Sequence, residues 1–414
     1  MLKSVMIVDG TGTESYGPAD LVIEDGIITR IVTDDEDITA PEDALVIDLT
    51  GRYLIPGLID GHTHLTRGPD HEPGWFELQE MFLLGITSVR DMAGNGKALK
   101  VLQDRAASAE EPVPTVYWSA LVAGPRWMRS DGRAQETAGE DTPGEVGWLQ
   151  PVDAGTDIEA LVARAKESGA HGIKLYDDID GELAGKVIAE AQKQGILTWA
   201  HPATFPGAPK DYVNAGVQSV SHAGMLFWHD VDPIPAYDPG DHSPLPPIRP
   251  GADPYSPTLD QLFESMAQAG VIIDATLALH TNPDASNDAE RLDVTHVGAL
   301  VSRAHDRGVR ISVGTDCAAT IAQEAELLVK HAGLTPIEAI QSATQHNAMI
   351  LGIDSFVGTI AVGMAADLVV LTGDPTADIT ELESVQAVIR AGRLHEVSGP
   401  DQPARAYRGN YGCS

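Results

Sequence analysis

Basic residues are what this sequence most lacks. Its 414 residues hold 27 lysines and arginines against 61 aspartates and glutamates, a formal charge of −34. Only nine of the 27 are lysine. That balance argues against nucleic acid or an anionic membrane surface as a partner, because both are held by cationic faces. An acidic, lysine-poor surface is also what concentrated salt favours, since screening removes self-repulsion. A halophilic source and an ordinary acidic protein both fit the composition, and a homo-oligomer is left open. Cysteine is nearly absent: Cys317 follows Asp316 and Cys413 is next to last, so a structural disulfide is not expected. No apolar run is long enough to span a bilayer. The segment Met1–Asp9 reads as a strand ending in a turn and lacks the apolar core and small-residue cleavage site of a secretory signal, so a cytoplasmic location is expected.

What is present is patterned. A hydrophobic fraction of 43% is ordinary for a globular protein. Short β segments are predicted at Ser4–Val8, Ala19–Glu24, Ile27–Val32 and Ala44–Asp48. The middle of the chain then alternates. Candidate strands are Gly57–His64, Thr87–Met92, Thr115–Ala120, Gly172–Tyr176, Leu197–His201, Ser219–Ala223, Val271–Leu277 and Arg310–Asp316. Amphipathic helical stretches lie between them, among them Ile158–Ser168, Glu182–Gln194, Leu259–Ala269 and Val297–Arg307. Eight strands with interleaved helices predict an α/β fold, a closed parallel (β/α)8 TIM barrel. Helices Ile321–Ala332 and Pro336–Leu351 follow, and β patterns return at Gly358–Ile360, Ala366–Leu371 and Val385–Ala391. The expected arrangement is a small β-sandwich from residues 1–56 and 355–414, with a catalytic barrel of residues 57–354 inserted in it. Two long connections, Gly124–Gln150 and the proline-rich His229–Pro257, follow strands three and six, where loops of a barrel line its catalytic face.

The ends of the predicted strands carry a constellation. Strand one ends in His62-Thr63-His64; residues two apart on a strand share a face, so both imidazoles point the same way and can chelate a divalent metal. Asp60, one step deeper on that face, could orient a ligand histidine. Strand four contains Lys174, strand five ends in His201, strand six in His222 and strand eight in Asp316. Five strands of eight thus deliver a ligand-type residue to the end where barrel enzymes keep their chemistry.

On these residues the chain resembles the amidohydrolase superfamily over almost its whole length. Leu54–His64 is similar to that superfamily's entry motif, and Gly358–Ile360 with Gly363–Val369 to its closing β segment. The order of lysine, two histidines and aspartate on strands four, five, six and eight resembles the binuclear members. The branch it looks most similar to is the imidazolonepropionase-related, prolidase-like (Xaa-Pro dipeptidase-like) group. Ala123-Gly124-Pro125-Arg126 adds to that likeness.

The resemblance implies a site of two divalent metal ions, Zn2+ for preference and Mn2+, Co2+ or Fe2+ as other fits to nitrogen and oxygen donors. His62, His64 and Asp316 would hold one and His201 and His222 the other, with Lys174 bridging as N6-carboxylysine. A lysine in an apolar strand is costly as an ammonium ion, which suits carbamate formation. The implied activity is hydrolysis of a C–N amide or peptide bond in a dipeptide or N-acyl amino acid. A metal-bridging hydroxide would be the nucleophile and Asp316 the acid/base. The alternative is a mononuclear relative acting as a deaminase or imidazolonepropionase-like cyclic amide hydrolase. Tyr176, two positions after Lys174, could donate to the oxyanion; His280, past strand seven, could contact substrate; Arg126 could pair with a substrate carboxylate.

Overall fold

The computed structural model describes residues 1–397 except 34–39, 41–43, 109–110, 240–251 and 282–293. Cys413, His242 and the central part of the proline-rich connection therefore lie outside the described residues. Eight parallel strands, Leu58–Thr63, Ile86–Asp91, Thr115–Ala123, Gly172–Leu175, Leu197–Ala200, Ser219–Ser221, Ile272–Asp274 and Ile311–Ser312, pair in chain order, each with the next. Each coincides with a predicted strand, most of them shorter by a few residues at their ends. Between the eighth and first strands the join is made by two backbone hydrogen bonds, from Gly61 N to Val313 O (3.0 Å) and from Asp316 N to His62 O (2.8 Å). Asn347 clamps the same seam from outside, its Nδ2 donating to Ile59 O (2.6 Å) and Val313 O (2.8 Å). The close approach needs Gly61, because a Cβ there would lie 2.4 Å from Asn347 Oδ1.

The helices form where local signals agree. Asp157 and Asp180 cap the helices Ile158–Glu167 and Gly181–Gln194 by accepting backbone N–H groups, and Gly195 ends the second in a left-handed conformation. One predicted helix, Pro336–Leu351, is two. It breaks at Thr344 (φ −128°, ψ −86°) into Pro336–Ala343 and Gln345–Leu351. The threonine Oγ1 bonds back to Ile340 O at 2.7 Å, a side-chain bond that competes with the helical ladder. The second piece is the one that carries Asn347 to the seam.

Both chain termini build one further sheet, mostly antiparallel. Its order is Arg393–Glu396, Val385–Arg390, Leu368–Leu371, Tyr53–Pro56, Leu2–Ile7, Tyr16–Glu24 and Ile27–Val32, with Ile47–Asp48 also on Leu2–Ile7. Alternation along its strands serves two cores. Leu54, Leu368, Val370, Ala387 and Ile389 pack into the sheet's own apolar cluster, while Ile55, Val369, Leu371 and Val388 join the barrel's. Gly358–Ile360 is not a strand, although Ile360 is buried in the sheet's cluster.

Glu324, fully buried on the helix Ile321–Ala332, ties the turn after strand seven to the helix that follows strand eight. Its carboxylate accepts from Leu277 N (2.6 Å) and Ala278 N (2.8 Å), the first amides after Thr276. Burial pushes its pKa up from 4.5 to about 8, against the lowering effect of those two amides. The native state therefore binds more protons than the unfolded chain between those values, so this group's contribution to stability declines as pH rises through that window. In thermal melts, wild type should lose melting temperature from pH 5 to pH 8 more steeply than Glu324→Gln, which cannot titrate there. Parallel pH dependences would remove the assignment.

Candidate metal-binding active site

Closure of the barrel decides the site. The bond from Asp316 N to His62 O places the carboxylate beside the imidazoles of the first strand. His64 Nε2 lies 3.2 Å and His62 Nε2 3.8 Å from Asp316 Oδ1, and His222 Nδ1 lies 3.8 Å from Oδ2. The rings continue around the mouth: His62 to His222 is 4.9 Å between centroids, His222 to His201 is 4.9 Å, and His201 to Tyr176 is 4.1 Å. Lys174 Nζ lies 5.1 Å from the Tyr176 ring centre and donates to Met92 O at 3.2 Å. The strand-end residues His62, His64, Lys174, His201, His222 and Asp316 thus share one end of the barrel.

The residues present fit divalent cations. Ligand atoms of His62, His64 and Asp316 all lie within 4.8 Å of one another. His62 Nε2 and both ring nitrogens of His201 are buried without a hydrogen-bond partner, a state that costs free energy unless another group occupies them. Burial holds His62, His201 and His222 well below the usual imidazole range, which keeps them neutral, the form that ligates. Burial lowers the Lys174 ammonium to about 8, against the pull of Asp316. Burial opposes the Asp316 carboxylate, but its contacts with His62 and His64 outweigh it and hold it well below the usual carboxylate range.

Three strand ends bend sharply. His222 (φ 68°), Thr276 (φ 47°), Asp316 (φ 43°) and Cys317 (φ 56°) occupy the left-handed region, which is uncommon for such residues and gathers at functional sites. Thr276 Oγ1 meets His222 Nδ1 at 3.0 Å. The expectation of no disulfide is overturned, because Cys317 is disulfide-bonded.

The other candidates divide. Tyr176 is buried beside His201, packs edge-on against Trp127 (5.1 Å) and accepts from Arg133 Nη1 at 3.2 Å. Arg126 is bound to Asp178 through Nε (2.8 Å) and its backbone N (2.7 Å). His280 ends a short turn, Leu277–His280, after the seventh strand and is half-buried. Asp60 does not orient an imidazole: its carboxylate accepts from the backbone N–H of His62 (3.0 Å) and Thr315 (3.1 Å) and from Thr315 Oγ1 (2.7 Å). The group on His62 Nδ1 is Asp274, at 2.7 Å. Asp274 and Arg133 were not singled out from sequence. Asp274 carried the same signal as the rest, a polar residue closing an apolar strand, Val271-Ile272-Ile273-Asp274. Arg133 lies in the connection after strand three, whose short helices Pro125–Ser130 and Gly132–Ala138 wall the site beside Tyr176.

Comparison with known proteins agrees with this geometry. A family profile described as the amidohydrolase family matches residues 53–395. The imidazolonepropionase of Geobacillus kaustophilus is 26% identical over 398 residues, covering 90% of this chain and 88% of that protein. The structure of a candidate prolidase from Bifidobacterium longum superposes with a TM-score of 0.74 at 24% identity, covering 97% of this chain and 96% of the other. A Xaa-Pro dipeptidase with methionine bound in its active site gives 0.74 at 22% identity, covering 95% and 99%. At these identities the two structures speak for the fold, whereas the profile spans most of the sequence: the chain belongs to the amidohydrolase family, metal-dependent hydrolases of carbon–nitrogen bonds.

Proposed function

We propose that this amidohydrolase binds two divalent cations and cleaves an amide or peptide bond in a dipeptide or N-acyl amino acid. The observation that carries the reading is Lys174, 2% exposed in a ring of imidazoles with its amine brought to about 8. A lysine so placed exists partly as a free amine near neutral pH. That amine can add carbon dioxide, forming a carbamate and releasing one proton. A mononuclear site has no need of it. His62, His64 and Asp316 would hold one cation, His201 and His222 the other, and the Lys174 carbamate would be shared; nitrogen and oxygen donors suit zinc. Bound cations supply Lewis acidity toward the scissile carbonyl and bring the pKa of water near neutrality.

The chain's own groups do the rest. The ionised Asp316 accepts the proton of the attacking water and returns it to the leaving amine nitrogen. Burial raises the Tyr176 phenol, so it keeps its proton. Arg133 donates to the phenol oxygen, which leaves the phenolic O–H to donate elsewhere, and the oxyanion is the partner it would serve. Both guanidinium groups here are paired with a carboxylate, Arg126 with Asp178 and Arg133 with Asp131 through Nε (2.9 Å) and Nη2 (2.6 Å), so Arg133 serves to hold the Tyr176 hydroxyl.

Asp316→Asn should lower kcat by about 10²–10⁴ while retaining part of the bound zinc; a near-normal rate would end its acid/base role. Metal analysis of active enzyme should give about two equivalents per chain. One equivalent with full activity would favour the deaminase or imidazolonepropionase-like reading.

A further inference from the structure

Beneath the metal-ligand ring lies a polar network that the reaction just described does not use. Asp274, at the end of strand seven, and Arg90, in strand two, are both 0% exposed. Asp274 Oδ2 receives three contacts: His62 Nδ1 at 2.7 Å, Ser221 Oγ at 2.7 Å and Arg90 Nη2 at 3.1 Å. The guanidinium spends its other donors on Gly61 O (Nε, 2.5 Å) and Ser219 Oγ (Nη1, 2.9 Å), and lies over the Trp199 ring at 4.9 Å. A fully buried arginine without a carboxylate, or the reverse, would be strongly destabilising, so the two are retained as a pair. The fold also makes room for them: a Cβ on Gly314 would lie 2.2 Å from Asp274 Oδ1 and 2.6 Å from His62 Cβ.

We infer that Asp274 and Arg90 are positioning residues that hold His62 as the Nδ1–H tautomer and aim its Nε2 at the cation. Oδ2 already accepts from a guanidinium and a hydroxyl, so it acts as acceptor toward His62 as well. The shared proton therefore belongs to Nδ1, and Nε2 keeps its lone pair. That nitrogen is the buried atom with no hydrogen-bond partner. Arg90 adds a second restraint, because its bond to Gly61 O fixes the peptide immediately before His62. A partner of this kind on a ligand histidine is worth about 10- to 100-fold in metal affinity. The inference rests on His62 binding a cation, and on neither the number of cations nor the substrate.

The test starts with the wild-type protein. Zinc-free enzyme labelled with ¹⁵N-histidine is observed by two-bond ¹H–¹⁵N correlation, with His62 identified by the signal lost in His62→Gln. A proton on Nδ1 is expected, and a proton on Nε2 overturns the proposal. Zinc affinity is then measured by chelator competition on Asp274→Asn and on Arg90→Met with Asp274→Ala. The asparagine variant keeps an acceptor oxygen and should lose only a few-fold. The double variant, which leaves no buried charge behind, should lose about 10- to 100-fold. A folded double variant with wild-type zinc affinity would show the pair to be structural only. Should neither variant fold, the tautomer decides alone. If wild type binds no zinc yet shows the Nδ1 proton, the metal reading fails and the aiming of Nε2 with it, and only the tautomer set by Asp274 stands.

Discussion

Two backbone hydrogen bonds between the first and eighth strands govern this molecule. Gly61 N to Val313 O and Asp316 N to His62 O join the ends of a sheet whose other neighbours pair in sequence order. They bring residues 62 and 316 into contact and so create the carboxylate–imidazole cluster. Much else near the seam serves the closure. Asn347 stitches it from outside, Gly61 and Gly314 are small where side chains would collide, and Asp60 spends its carboxylate on amides at residues 62 and 315. The arrangement of these imidazoles and the carboxylate is here a by-product of completing a ring of strands.

Beneath these imidazoles the protein holds charge that water never reaches. Burial raises Asp60 to about 7 and lowers Arg90 to about 10, where Asp274 restrains the fall. Such groups are costly unless saturated with partners. Arg90 bonds a carbonyl, a hydroxyl and a carboxylate from three different strands. The floor of the barrel is thereby stiffened at the point where side chains must be held to fractions of an ångström.

Much of this was legible in the sequence, for a physical reason. A barrel strand is buried on both faces, so its apolar run is interrupted only where a polar residue has a partner. His62, Lys174, His201, His222 and Asp316 stand out against such runs on five strands, and the apolar runs themselves placed all eight. The same rule applied to Val271–Asp274 and Thr87–Asp91 would have exposed Asp274 and Arg90; a carboxylate or guanidinium simply attracts less notice than a histidine. What could not be read were contacts across loops. Nothing in Ala123–Arg126 reveals that Asp178 claims Arg126, nor that Arg133 reaches the Tyr176 hydroxyl. The break at Thr344 was hidden because its neighbours are good helix formers, and the stop comes from a side-chain bond that propensity does not register.

The strand Leu368–Leu371 belongs to both halves of the molecule. It is four residues long, and alternate side chains enter different apolar clusters: Leu368 and Val370 the sheet's, Val369 and Leu371 the barrel's. Peeling it away would strip both clusters at once. The two halves of the molecule are therefore thermodynamically welded, and melting in a single cooperative step follows from that sharing, without an intermediate in which the barrel stands and the terminal sheet is gone.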